Sequence, residues 1–141
     1  MDLPTEQIGD ALFTVTRSLK ALTEKELKPL GLGTGQLQIL MQFYAGEATR
    51  FTQNGLVAIL QIDKGNVSRN IAKLVEKKYL RMREDGSRNY ELTAEGALLK
   101  RELVLFLKKI HRTMVEGLSP EELHATMKGL SRISMNLEES T

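Results

Sequence analysis

The stretch IDKGNVSRNIAKLVEKKYL, residues 62–80, carries a helical repeat with two unlike faces. Val67, Ile71, Leu74 and Val75 recur at helical spacing and predict a stripe that buries against a neighbour, while Asp63 stands where an N-cap belongs. Asn66, Arg69, Asn70, Lys73 and Lys77 fall on the opposite side. Asparagine and arginine can each make two hydrogen bonds to a purine edge and lysine neutralises phosphate, so this face has the chemistry of a helix in a DNA major groove. An ordinary amphipathic helix with a solvated basic face satisfies the same pattern, so the flanking sequence has to decide.

Working outward, residues 52–60 read as a short helix with Thr52 as N-cap and Leu56, Ile59 and Leu60 facing inward. Two short helices joined by a tight turn, the second with a polar outer face, form a helix-turn-helix. On the other flank the period changes. Leu80-Arg81-Met82-Arg83 alternates apolar and cationic residues, Asp85-Gly86 signals a turn, and Tyr90-Glu91-Leu92 alternates again, which predicts a small β-hairpin. A helix-turn-helix followed by a basic hairpin is a winged helix, and Arg83 and Arg88 are then placed to meet a minor groove or phosphate from the wing.

Farther out the chain is helical. Residues 5–28 predict one long helix with a heptad seam of Ile8, Leu12, Val15, Leu19 and Leu22, stopped by Pro29 and Gly31. A second helix begins near Gly33 or Thr34, carries Leu37, Ile39, Leu40 and Phe43, and ends at Ala45-Gly46. Thr93 caps a fifth helix running to about Glu116. Leu99, Leu103, Phe106, Ile110 and Met114 form its main stripe, and Leu98, Leu105 and Leu107 lie outside that stripe. Ser119-Pro120-Glu121-Glu122 opens the last helix, which has an apolar face of Leu123, Met127, Leu130, Ile133 and Leu137. The first, fifth and sixth helices supply more apolar surface than one winged helix uses. A two-fold homodimer or a larger monomeric helical core would cover it, the dimer more economically. The expected fold is mainly α with a small β-hairpin wing, in one domain spanning residues 1–141. Its winged helix-turn-helix lobe occupies about residues 34–92, between dimerisation helices at about 5–28 and 93–139.

Composition agrees with a nucleic-acid reader. The 141 residues suit one domain, and the net charge of +2 says little by itself. Between residues 62 and 92, however, eight cations face five anions, so the basic surplus sits in the middle of the chain. The absence of cysteine excludes disulfides, thiol redox switches and thiolate metal sites. His111 and His124 have no cluster of metal ligands or nucleophile motif beside them, so neither a catalytic site nor a metal or cofactor is expected. Gly31-Leu32-Gly33-Thr34-Gly35 lacks the strand before it and the lysine after it that a phosphate loop needs. No basic leader or run of about eighteen apolar residues is present, so a cytoplasmic protein without membrane insertion is expected.

These pieces together resemble the MarR family of bacterial and archaeal transcriptional regulators. The matching residues are Leu32 followed by Gln36, Thr52-Gln53, the run Asp63-Lys64-Gly65-Asn66-Val67-Ser68-Arg69, and Leu92-Thr93-Ala94-Glu95-Gly96 after the wing. The resemblance implies an obligate homodimer whose two winged helices read a pseudo-palindromic operator in double-stranded DNA, usually as a repressor. It also implies a pocket, often for phenolic or other small aromatic acids, between the dimer helices and each DNA-binding lobe. Leu12, Thr16, Phe43 and Tyr44 are the expected wall positions. On this reading Asn66, Arg69 and Lys73 face the major groove, and Ser68 bonds phosphate or a base edge. Thr52, Gln53 and Lys64 bond backbone phosphates, and Arg88, with Arg83 behind it, is the wing contact. The chain departs from the family pattern in three places. Its wing is short, which would limit the reach of Arg88; Asn54-Gly55 replaces a helix-favouring pair; and Gln61 stands where glycine is typical of the turn. The rival reading is a winged helix used for protein contact without an operator of its own. The polar face of Asn66, Arg69 and Lys73 speaks against it, because a protein-binding helix would more naturally expose an apolar or aromatic anchor there.

Overall fold

In the computed structural model, residues 5–46 and 48–141 are described; positions 1–4 and 47 of the expected domain lie outside them. The helices are α1 (Thr5–Leu27), α2 (Thr34–Ala45), α3 (Gln53–Leu60), α4 (Lys64–Glu76), α5 (Ala94–Val115) and α6 (Pro120–Glu139), with a 3-10 turn at Lys28–Leu30. The strands are β1 (Arg50–Phe51), β2 (Leu80–Met82) and β3 (Tyr90–Leu92). The chain divides into two compact units, the first ending at Phe106 and the second running Leu107–Thr141.

The core of the first unit forms where α2 and α3 pack on α4. Leu37, Ile39, Leu40 and Phe43 from α2, Leu56 from α3, and Val67, Ile71 and Leu74 from α4 are buried there. Three residues expected to face inward are not: Leu60 is half-buried, Ile59 is 51% and Val75 40% exposed. At 100° per residue Val75 lies about 80° round the helix from Val67, at the edge of its stripe, and short helices bury only the centre.

The wing is an antiparallel sheet in the order β1-β3-β2, with Arg50 opposite Glu91 and Met82 opposite Tyr90. The β2-β3 hairpin is the expected one, with strands of only three residues. Strand β1 has no counterpart in the sequence reading. Two residues are too few to alternate, so its only signal is tertiary: pairing to β3 and a T-shaped stack of Phe51 on Phe43, with ring centroids 5.0 Å apart.

Two turns around α4 use left-handed backbone without glycine. Gln61 ends α3 at φ 54°, so the turn keeps the geometry for which glycine is typical. Lys78 at φ 66° closes α4. Its amide donates to the Val75 carbonyl and the Tyr79 amide to that of Leu74, the paired bonds of a Schellman C-terminus.

The entry to α5 explains the Leu92-Thr93-Ala94-Glu95-Gly96 motif. The Thr93 hydroxyl accepts from the Gly96 amide at 3.0 Å and donates to the Lys78 carbonyl. A Cβ on Gly96 would stand 2.1 Å from the Tyr79 carbonyl oxygen, so only glycine lets the helix start this close to the end of α4. The Tyr44 hydroxyl donates to the Gly96 carbonyl at 2.6 Å and ties α2 to the same turn. Burial, with a smaller contribution from Tyr79, pushes the Tyr44 phenol up to about 12.

Outside this core many apolar side chains stay uncovered. On α1, Ile8, Val15 and Phe13 are exposed, Phe13 to 76%. On α5, Leu99, Leu103, Phe106 and Ile110 are buried as their stripe predicts, and Met114, Leu98 and Leu105 are exposed. Helix α6 begins with a full capping box between Ser119 and Glu122 and exposes Met127, Leu130 and Leu137.

Candidate nucleic-acid interface

Helix α4 starts at Asp63, whose carboxylate accepts from the Asn66 amide at 2.8 Å. Its apolar stripe is turned to the core, so Lys64, Ser68, Arg69 and Lys73 stand exposed on the other side and Asn66 and Asn70 are half-buried beside them. The Arg69 guanidinium folds back along the helix, with a nitrogen 3.1 Å from where a Gly65 Cβ would be. Lys77 departs from the outer face assigned to it. Its ammonium donates to the Gly31 carbonyl and, at 2.6 Å, to the Gln36 side chain, joining α4 to the end of the 3-10 turn.

Three concavities surround α4. A trough of about 400 Å³ brings together Thr52 and Gln53 from the start of α3, Lys64 from the start of α4, and Ser87 and Arg88 from the wing. A cleft of about 380 Å³ between α4 and the wing holds Ser68, with Gln53, Met82 and Tyr90 shared with the trough. On the opposite flank, a cleft of about 550 Å³ between α4 and the start of α2 holds Asn66, Asn70 and Lys73, with Lys28 and Thr34 across from them. The Thr52 hydroxyl accepts from the Gly55 amide at 3.0 Å, which leaves its own hydrogen free for an acceptor in the trough.

The two wing arginines differ. Arg88 is exposed at the tip, at φ 60°, after a loop closed by Ser87, whose amide and hydroxyl both donate to Asp85. Arg83 was expected as a second contact but is committed inside the wing, donating to Asp85 at 2.9 Å and to Glu91 at 2.8 Å. Arg81 also bonds Glu91, at 3.0 Å, and Arg50 stands 4.0 Å from Asp85. Hydrogen bonds from Ser87 and Arg83 hold the Asp85 carboxyl well below the usual carboxylate range. Partial burial would raise Glu91, but its bonds to Arg83 and Arg81 outweigh this and lower it. Arg83 therefore braces the hairpin that presents Arg88. Nothing in the spacing of the sequence announced this, because its partners depend on strand register.

Of the four expected pocket residues, Leu12 and Thr16 lie one turn apart on α1, where the Thr16 hydroxyl donates to the Leu12 carbonyl at 2.8 Å. Phe43 is buried against Phe51, and Tyr44 is half-buried with its hydroxyl bonded to Gly96. Among the described residues no group of three or more histidine, aspartate or glutamate side chains is placed to hold a metal ion, and no helix is long and apolar enough to cross a membrane.

Comparison with known proteins follows this geometry. A family model described as the MarR family matches residues 30–88, from the end of the 3-10 turn through the wing. The MarR transcriptional regulator from Methanosarcina mazei Go1 superposes with a TM-score of 0.82 at 26% identity, over 99% of this chain and 94% of its own. The winged-helix lobe, residues 30–88, is thus similar to the MarR family. Two further solved structures share the fold at lower identity. BpsR of Bordetella bronchiseptica, whose DNA binding is regulated by 6-hydroxynicotinic acid, matches at 24% identity and TM-score 0.77, over 94% of this chain and 98% of its own. A putative MarR-family regulator from Listeria monocytogenes, in complex with a 26mer DNA, matches at 22% and 0.70, over 99% and 92%. No curated protein matches. The chain thus shares the winged-helix architecture of these regulators, with α4 as the second helix of the helix-turn-helix.

Proposed function

We propose that the protein is a sequence-specific DNA-binding regulator, a homodimeric repressor of a pseudo-palindromic operator. One observation carries this reading: Thr52, Gln53, Lys64 and Arg88, which come from three elements, surround one trough beside the exposed face of α4. That is the layout of a helix in a major groove with phosphate contacts on its flank. Asn66, Arg69 and Lys73 read the groove and Ser68 bonds phosphate or a base edge. Thr52, Gln53 and Lys64 hold phosphates near helix starts, where amide dipoles favour anions. Arg88 is the wing contact, and Arg83 positions it.

The uncovered apolar faces of α1, α5 and α6 support pairing of two copies, which must hold their recognition helices about 34 Å apart to enter successive major grooves. A small aromatic or phenolic acid would release the DNA by favouring a different separation, which requires only unequal affinity for the two dimer shapes. Leu12, Thr16, Phe43 and Tyr44 are the wall positions assigned to that effector.

The test is a gel shift on the DNA upstream of the protein's own gene, with Arg69→Ala at the same salt. Retardation that survives competitor DNA and is lost in the variant supports the reading. No specific complex on that fragment or on any sequence selected from the genome would leave the protein-contact reading in its place. If Lys73 contacts phosphate as well as the groove, Lys73→Ala should lower the slope of log affinity against log salt by about one unit, and an unchanged slope would exclude that contact.

A further inference from the structure

Asparagine in a recognition helix normally matches adenine, because its amide offers one acceptor and one donor to the adenine N6 and N7 pair. Here the acceptor of that pair is already engaged within the helix. Asn70, one turn later, donates from its amide nitrogen to the Asn66 carbonyl at 2.9 Å and to Asn66 Oδ1 at 2.6 Å. That nitrogen has two hydrogens, and both are used. The Asn70 amide is in turn seated on the backbone of Gly35 in the first turn of α2. A Cβ at Gly35 would stand 2.4 Å from Asn70 Nδ2 and 2.8 Å from its Cγ. A side chain at position 35 would therefore displace the amide, and only glycine leaves it room.

With Oδ1 engaged by Asn70, Asn66, which lines the same cleft as Lys73, meets the groove chiefly through its Nδ2 donors. A guanine edge presents N7 and O6, two acceptors, whereas adenine presents an acceptor and a donor. An N–H donor suits guanine, whose edge offers only acceptors there, whereas against adenine it would leave N6–H without a partner.

We propose that Asn70, seated on Gly35, is a positioning residue that makes Asn66 a donor-only reader, so that the protein selects guanine over adenine at the base Asn66 meets. This rests on the DNA reading above and goes beyond it by assigning a base and a residue that never touches DNA. Gly35, outside the helix-turn-helix, becomes a specificity determinant at one remove.

The experiment is a binding series by fluorescence anisotropy on duplexes carrying the selected operator, with each contacted base pair changed symmetrically in both half-sites. Asn66→Ala identifies the relevant position as the one where discrimination collapses. The wild-type protein should prefer guanine over adenine there by roughly tenfold per half-site. Asn70→Ala releases Oδ1 and should bring that ratio to parity or reverse it, with preferences elsewhere unchanged. Gly35→Ala, which displaces Asn70 without altering α4, should do the same, and it carries the test if Asn70→Ala fails to fold. A wild-type preference for adenine at that position, a guanine preference that persists in both variants, or an Asn66→Ala protein that relaxes no position would overturn the proposal while leaving DNA binding intact. Absence of any sequence-specific complex is a different result, since it would remove the DNA reading and this assignment with it.

Discussion

The α2–α4 core and the long helices α1 and α6 handle their apolar residues in opposite ways. In the first, Leu56, Val67 and Leu74 are completely buried within one chain. In the second, seam positions that the sequence marks just as clearly, Ile8 and Val15 on α1 and Met127, Leu130 and Leu137 on α6, remain exposed. A lone helix gains little from a stripe left in water, so such stripes are the surfaces that the second copy of the proposed dimer would cover. The part proposed to read DNA packs its core within one chain, whereas the helices proposed to pair two chains leave their stripes uncovered.

Substitutions on the two sides should break this contrast in different ways. Leu74→Ala empties a fully buried position and should cost about 2–5 kcal/mol in urea denaturation, by the same amount at low and high protein concentration. Leu130→Glu should leave the α2–α4 core folded but lose about 2 kcal/mol of apolar burial per chain at the interface and add the desolvation of a carboxylate. Light scattering should then report the 15.9 kDa single chain, and a mass that stays at twice this value would place the interface elsewhere.

Tyr44→Phe removes one part-buried hydrogen bond and should cost about 1 kcal/mol. The Tyr44 phenol is raised in the folded state, so its contribution is fully present below the ordinary tyrosine value and is lost as pH rises through about 12. A tyrosinate absorbance titration should show a late component that disappears in this variant. The smallest effect is at Gln61. Replacing it by glycine relieves left-handed strain and should raise stability by up to about 1 kcal/mol, part of the gain being offset by the greater freedom of glycine when unfolded.

The features legible in the sequence are those governed by local rules. Thr52, Asp63, Thr93 and Ser119 act as helix caps, and each accepts from the amide three residues on. The stripes of α4 and α5 follow their period, apart from residues such as Val75 and Met114 at the edge or end. Features that depend on register or on distant partners were not legible. Strand β1 exists because β3 offers an edge, and Lys77 leaves the outer face for Gly31, forty-six residues away. Arg83 and Arg88 look alike in sequence and separate only when the hairpin sets Glu91 beside one of them. The role of Asn70 depends likewise on Gly35, which reads in sequence as part of a loose glycine-rich connection.

The most direct test of the account is selection of binding sites from a random DNA library by the full-length protein. The account predicts an enriched pseudo-palindrome with half-sites centred about one helical turn, 10–10.5 base pairs, or a multiple apart, and no enrichment by Arg69→Ala. A library that returns no motif, or the same motif with Arg69→Ala, would contradict it.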